Sequence, residues 1–412
     1  MGPGPPSECD AEASSRPRLF WYPLLPPYHL EDNWRFRNLK QAVRTSKYYA
    51  KNPMCADFFI ISNMRCHQPI AMKKSMQMQK MIKYIKFKYP FWNQTTARNL
   101  TRHFMLMPCD HGPGDCMYDR DWILKGEPID ENIRPNNPSR RLGFLTLNGD
   151  PQMHNFYIRG VDIRLPQEEW HECGPFCGMS RLDRMRFERH LINPIHRRYS
   201  PWFEADYGRR DETLRRHRRV KFFWAGASRS NKGIRGSVIK YHANRSGFLL
   251  RDTSATGHLR HLVDNIDIPE VHSKSAFIAS AMANSDFCFS PLGQSQGDSD
   301  RYLPAILYGC IPVFTHKGEF GPFDEIISWP DVSLQVERSD IPKLHEILES
   351  VPFQRILEMR RAMGQVWQRL LWTSTRTPGG RPFLHESGWQ DAFHTLMETF
   401  SLRLQKEMEV LA

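Results

Sequence analysis

From Val220 onward one local pattern recurs: a short apolar run, a loop rich in Gly, Ser or Asp, then a stretch with helical spacing. The runs VKFFWAGA (220–227), DFCFS (286–290) and CIPVFT (310–315) are separated by helices expected from Gly233 to Asn244, Ser273 to Asn284 and Asp300 to Tyr308. Runs without polar alternation suit strands buried on both faces, the condition of a parallel sheet. Strands recurring across helices predict βαβ units, because a right-handed crossover lets each helix pack back on the sheet. Val332 to Val336 adds a strand, and Ile341 to Trp372 two more helices. This half is α/β.

The first half reads the same way with fewer signals. DFFIIS (57–62), RHFMLM (102–107), Leu142 to Leu147 and Gly160 to Leu165 predict strands, each closed by Pro, Gly or Asn. Met78, Met81, Ile82 and Ile85 carry helical spacing within a helix expected over Met72 to Tyr89, where the methionines serve packing. Gly112 to Ser139 reads as loop. With 412 residues there is chain for two cores. The expected division is a flexible Pro/Gly-rich N-terminus (1–17), an α/β domain (18–208), a basic linker (209–219), a second α/β domain (220–372) and a helical C-terminal segment (373–412).

Charge narrows the partners. Lys and Arg number 57 against 45 Asp and Glu, a formal charge of +12. The densest basic stretch, Arg209 to Arg219, is read as a solvated helix or linker face. No zinc finger, RNA-recognition motif or basic zipper accompanies it, so nucleic acid is a minor alternative as partner. No apolar run approaches the ~20 residues that span a bilayer, and Met1 to Asp10 lacks the order of a signal peptide.

Nine cysteines are present. Close pairs at 55/66, 109/116 and 173/177 fit disulfides across short loops, for instance CDHGPGDC from Cys109 to Cys116, better than zinc knuckles. Cys288 and Cys310 lie within apolar runs and read as buried thiols. Asn-x-Ser/Thr acceptors at Asn93, Asn99 and Asn244 lean with the paired cysteines towards a secretory lumen.

Three loops of the second half concentrate the chemistry. Gly226-Ala-Ser-Arg229, followed by Gly233-Ile-Arg235-Gly236, runs from a strand end to a helix start, where phosphate binds in open α/β sheets. The arginines offer bidentate geometry for phosphate oxygens; the alternative is a plain turn with surface arginines. The second loop, Ser290-Pro-Leu-Gly293 to Gly297-Asp-Ser-Asp-Arg301, also joins a strand to a helix. A cation in the first helical turn opposes the helix dipole unless an anion lies nearby, which favours a functional Arg301. Asp298 and Asp300 read as helix caps before a metal pair. The third loop, Glu319 to Trp329, holds Asp324 and Glu325, either acceptors for ribose hydroxyls or helix-start acids.

These strings together resemble the exostosin-like glycosyltransferases, in their plant and algal-like branch. FCFSPLGQSQGDSDRYLPAILYGCIPVF (287–314) is similar to that family's donor-site signature, and VKFFWAGASRSNKGIRG to its Phe-Ala-Gly-x-x-Arg…Ile-Arg stretch. GPFDEIISW resembles its Pro-Phe-Glu-Asp-Val-x-x-Trp, NPMCADFFIIS and FWNQTTARNLTRHFMLMPCDHG its N-terminal motifs. Leu292 stands where members often carry Arg, and Pro304 where they carry Asp.

The resemblance implies a GT-B fold, two Rossmann-like domains facing a cleft, with the nucleotide on the C-terminal one. It implies transfer of a sugar from a nucleotide diphosphate, commonly a uridine one, to a glycan or glycoprotein with inversion and without a required metal or other cofactor. The donor residues would be Gly226, Arg229, Arg235, Ser290, Gly293, Gly297, Arg301 and Glu325. Inversion needs one base, and Asp110 and His111 after RHFMLM are the candidates against a reading as structural loop groups. Golgi residence follows from the same resemblance, which makes a truncated N-terminus the expected reason for the missing anchor. The alternatives are a catalytically inactive glycan-binding relative and a basic nucleic-acid binder.

Overall fold

The computed structural model describes residues 9, 17–23, 39–62, 71–92, 101–107, 137, 139–147, 149, 157–166, 198–203, 207–226, 233–252, 260–261, 274–291, 301–315, 321–374 and 390–411. Among these, two sheets form. The first orders its strands β1-β2-β3-β4-β5, all parallel: β1 Leu19–Trp21, β2 Phe58–Ile61, β3 His103–Met107, β4 Leu142–Thr146 and β5 Ile163–Arg164. Alternation fixes its two faces. Leu19, Trp21, Phe58, Ile60, Phe104 and Leu106 point one way, and Phe20, Phe59, Ile61, Met105 and Met107 the other.

Helix α1 (Leu39–Thr45) covers the first face through Leu39 and Val43, and helix α2 (Ala71–Lys88) covers the second through Met81, Ile82 and Ile85. After α1 the chain makes a bridge from Tyr49 to the outer side of β1, then crosses to β2 on the inner side. Opposite directions with helices on opposite faces keep the crossovers of one hand.

The second sheet runs β11-β10-β9-β6-β7-β8. Its strands are β6 Val220–Gly226, β7 Phe248–Asp252, β8 Arg260–His261, β9 Ser285–Phe289, β10 Ile311–Phe314 and β11 Leu334–Gln335. Only β8 is antiparallel, at the edge. Helices α3 (Tyr207–Arg215), α4 (Ile234–His242), α5 (Lys274–Ala283), α6 (Tyr302–Leu307), α7 (Trp329–Val332), α8 (Leu344–Ser350), α9 (Phe353–Val366) and α10 (Ala392–Leu411) complete the order. After α6, Gly309 takes a φ of 68°, the left-handed turn that ends a helix without a side-chain penalty.

Several expectations are corrected here. The stretch 209–219 takes the helix reading rather than the linker one: α3 occupies most of it with Arg209, Arg215 and Arg216 exposed, and the half-buried Arg218 donates to the carbonyls of Ser285 and Met282, at 2.8 and 3.2 Å. Cys288 and Cys310 are not thiols but a disulfide, since Cys288 within β9 and Cys310 just before the neighbouring β10 have Cα atoms 5.8 Å apart. Their 22-residue separation hid them from a search for short loops. Cys55 pairs with Cys9 rather than Cys66; the pairs 109/116 and 173/177 lie outside the described residues. Val332 to Val336 is the end of α7 and the two-residue β11, because Pro330 at the first turn starts a helix.

The C-terminal helix returns to the first sheet. Phe400 of α10 packs on Phe58 and Phe104, with ring centroids 4.5 and 5.2 Å apart, and Glu407 pairs with Arg102. One continuous apolar core therefore runs through both halves. No described helix is long and apolar enough to cross a membrane.

Candidate functional site

In the second sheet the chain first grows outward from β6 to β7, then reverses and lays β9 against the other side of β6. At such a reversal the loops leaving the two strands diverge and open a crevice at their carboxyl ends. Gly226 ends β6, and Ser290 follows β9 directly. These strand ends are where the two loops that the sequence singles out begin.

Arg301 reaches this point from the start of α6. A Cβ built on Gly226 would lie 3.1 Å from Arg301 Nη2 and 3.2 Å from the Trp224 ring. Glycine is needed here for close approach, and it brings a guanidinium to the end of β6. Three buried polar atoms around the same strand ends lack a hydrogen-bond partner: Trp224 Nε1 on β6, Ser290 Oγ after β9 and Thr315 Oγ1 after β10. Each residue is at most 2% exposed. Leaving such groups unpaired costs on the order of 1–3 kcal/mol each, so three together at a crevice mark a place built to receive polar atoms. Sequence reasoning missed Trp224 and Thr315, which read there as apolar strand filler. The next element after β6, α4, begins at Gly233 without a side-chain cap, and the half-buried Arg235 lies in its first turn. Uncapped amides and an arginine together favour an anion.

The first sheet meets this edge with its own carboxyl ends. Arg164, at the end of β5 and buried, donates through Nε to the Leu147 carbonyl at 2.8 Å, and its guanidinium lies 5.2 Å from the Tyr302 ring. The Phe323 amide donates to the Arg164 carbonyl at 3.0 Å, and Trp372 Nε1 to the Pro166 carbonyl at 2.8 Å. The two Rossmann-like sheets accordingly face one another across their functional edges, as a GT-B architecture requires.

Asp324 and Glu325 are engaged. Asp324 accepts from Tyr157 Oη at 2.9 Å and from Arg159 Nε at 2.7 Å. Burial raises its carboxyl above the ordinary range, opposed by these two partners. Glu325 takes the Arg403 fork, with Nε 3.0 Å from Oε1 and 3.3 Å from Oε2, and Nη2 on Oε1.

The structure thus brings Gly226, Ser290 and Arg301 to one sheet edge, has Arg235 in the first turn of the helix that follows β6, and keeps Glu325 at the seam between the sheets. Asp110, His111, Arg229, Gly293 and Gly297 lie outside the described residues, as do Asn93 and Asn99. Asn244 is exposed in the turn between α4 and β7.

Comparison with known proteins agrees with this geometry. Residues 177–351 match the family described as Exostosin GT47 domain. A probable glucuronosyltransferase of rice (Oryza sativa subsp. japonica) is 32% identical over 344 residues, covering 82% of this chain and 65% of the relative. Another rice protein of that description is 24% identical over 390 residues, 90% of this chain and 74% of its own length. A probable beta-1,4-xylosyltransferase of Arabidopsis thaliana is 31% identical over 131 residues, 31% of this chain and 29% of the relative. The chain spans 64% to 74% of the first five rice relatives.

Proposed function

Because this chain belongs to the exostosin-like family of glycosyltransferases, we propose that it moves a sugar from a uridine diphosphate donor to a glycan or glycoprotein hydroxyl with inversion. The observation that carries this reading is Arg301 held against Gly226 at the reversal point of the second sheet. In a single displacement the acceptor oxygen attacks the anomeric carbon, a base takes its proton, and the diphosphate leaves as an anion. Positive charge fixed where that anion grows lowers the barrier, and Arg301, Arg235 and Arg229 are assigned to it with the start of α4. Ser290, Gly293 and Gly297 belong to the same donor loop.

The base is assigned to Asp110 or His111, which follow β3 in sequence. The reaction is read as independent of a bound metal, so a chelator leaves the rate unchanged. Two disulfides, rare in reducing compartments, and an exposed acceptor asparagine support residence in the secretory lumen, the Golgi by family.

Titration calorimetry with uridine diphosphate tests the donor site. Arg301→Ala should weaken binding by about tenfold or more, roughly 1.4 kcal/mol, with the melting temperature preserved. Unchanged affinity in that variant, or no binding by the wild type, overturns the reading.

A further inference from the structure

The loop 321–329 carries an acid at a motif position, which makes Glu325 a natural candidate for the donor ribose. We propose a different role: Glu325 and Arg403 form an inter-sheet joint, and Glu325 is a positioning residue that fixes the angle at which acceptor and donor edges meet. Among the described residues, the polar contacts of Asp324 and Glu325 run to the seam.

Four observations carry the assignment. First, a Cβ at Gly321 would lie 2.0 Å from the Trp329 ring, so the backbone rests directly on that indole, whose Nε1 donates to the Pro322 carbonyl at 2.9 Å. Second, Phe323 holds a φ of 53° while buried, a left-handed conformation costing a non-glycine residue about 1–3 kcal/mol. That conformation is held by the Phe323 amide's bond to the Arg164 carbonyl in the opposite sheet. Third, Asp324 reaches the first sheet through Tyr157 and Arg159.

Fourth, Arg403 of α10 joins all three parts. It pairs with Glu325 while its Nη1 donates to the Val161 carbonyl at 3.0 Å and its Nη2 to the Asp162 carbonyl at 2.7 Å. The side chains of Arg403 and Glu325 are 3% and 11% exposed. Turning Glu325 towards a ribose would strand a buried guanidinium beside two carbonyls, a large cost. The joint therefore couples the donor-side loop, the turn before β5 and the last helix. Arg403 lies beyond the segment 177–351 that matches the family, and carbonyl acceptors carry no side-chain signal.

The test compares Glu325→Gln and Arg403→Lys by solution X-ray scattering, uridine diphosphate calorimetry and transfer kinetics. Both variants should bind the nucleotide within about twofold of wild type and show a broadened, larger radius of gyration. Both should lose about tenfold in kcat with donor KM little changed, the split expected when only the productive alignment suffers. If either variant fails to fold, Tyr157→Phe, which removes one hydroxyl from Asp324, should give the same pattern at about threefold. Nucleotide binding weakened tenfold with an unchanged scattering profile would make Glu325 a donor ligand and overturn the joint. Wild-type kcat with unchanged scattering overturns it too. The kinetic arm rests on the glycosyltransferase reading, but the scattering arm does not, so a wild type that binds no nucleotide sinks that reading alone.

Discussion

Gly226→Ala isolates the contact on which the donor site depends. The new methyl would sit 3.1 Å from Arg301 Nη2 and 3.2 to 3.3 Å from two atoms of the Trp224 ring. Gly226 does not need a left-handed backbone, so alanine fits its strand conformation and removes unfolded-state freedom, a gain of about 0.4–1 kcal/mol. Trp224 is buried in the core and cannot yield, whereas Arg301 ends a flexible stem. The guanidinium should therefore retreat by a few tenths of an ångström. Charge-assisted bonds to phosphate act at about 2.7–2.9 Å, and losing one member of a bidentate pair costs about 1.5–3 kcal/mol. Uridine diphosphate affinity should fall by roughly 10- to 100-fold while the melting temperature moves by less than about 3 °C. The decisive measurement is a double-mutant cycle with Arg301→Ala. If the two residues act as one unit, Gly226→Ala adds almost nothing once Arg301 is gone. An equal loss of affinity in both backgrounds, or a drop in melting temperature beyond about 5 °C, would refute the reasoning, since Trp224 rather than Arg301 would have moved.

Two further outcomes follow from the core. Replacing both Cys288 and Cys310 with Ala releases a 22-residue loop and should cost about 3 kcal/mol by chain entropy, read as a lower denaturant midpoint with a slope equal to or steeper than wild type. His103, buried between Phe59 and Trp92 and bonded to Tyr22 Oη at 2.9 Å, is held by burial down to about 3 from an ordinary 6.5. The unfolded chain binds a proton there that the native one refuses. Stability should therefore be intact above about pH 6.5 and decline by about 1.4 kcal/mol per unit as the pH falls towards 3. Denaturant titrations at pH 5 and 6 should give a shallower pH dependence in His103→Asn than in wild type.

The sheet strands were legible where apolar runs ended in turn residues: DFFIIS, RHFMLM and VKFFWAG all became parallel strands within a residue or two. β7 was not, because FLLRD is short and ends in charge, and only the neighbouring β6 makes it a strand. Arg301 was legible because a cation at a helix start is locally unfavourable and so points to something outside local structure. Trp224 and Thr315 carry no such conflict; their polar atoms matter only once strand ends are placed side by side. The seam was least visible. Arg403 is 78 residues from Glu325, and 242 and 241 from the carbonyls that it also binds, and nothing in a local window links an exposed-looking arginine in a helix to distant backbone oxygens. The disulfide between β9 and β10 was hidden for the same reason, since pairing depends on sheet order and not on spacing.

The return of α10 to the first sheet has a consequence for synthesis. A ribosome delivers β1 to β5 long before it delivers Phe400, and until then the face carrying Phe58 and Phe104 has α1 but lacks α10. The first sheet to be made is therefore among the last to be completed. During that interval a strip of aromatic surface is open to wrong partners, the circumstance in which multidomain chains aggregate and recruit chaperones. Production of the isolated first half should accordingly fail in solubility, even though every strand of its sheet is present, and adding α10 as a separate peptide should rescue it.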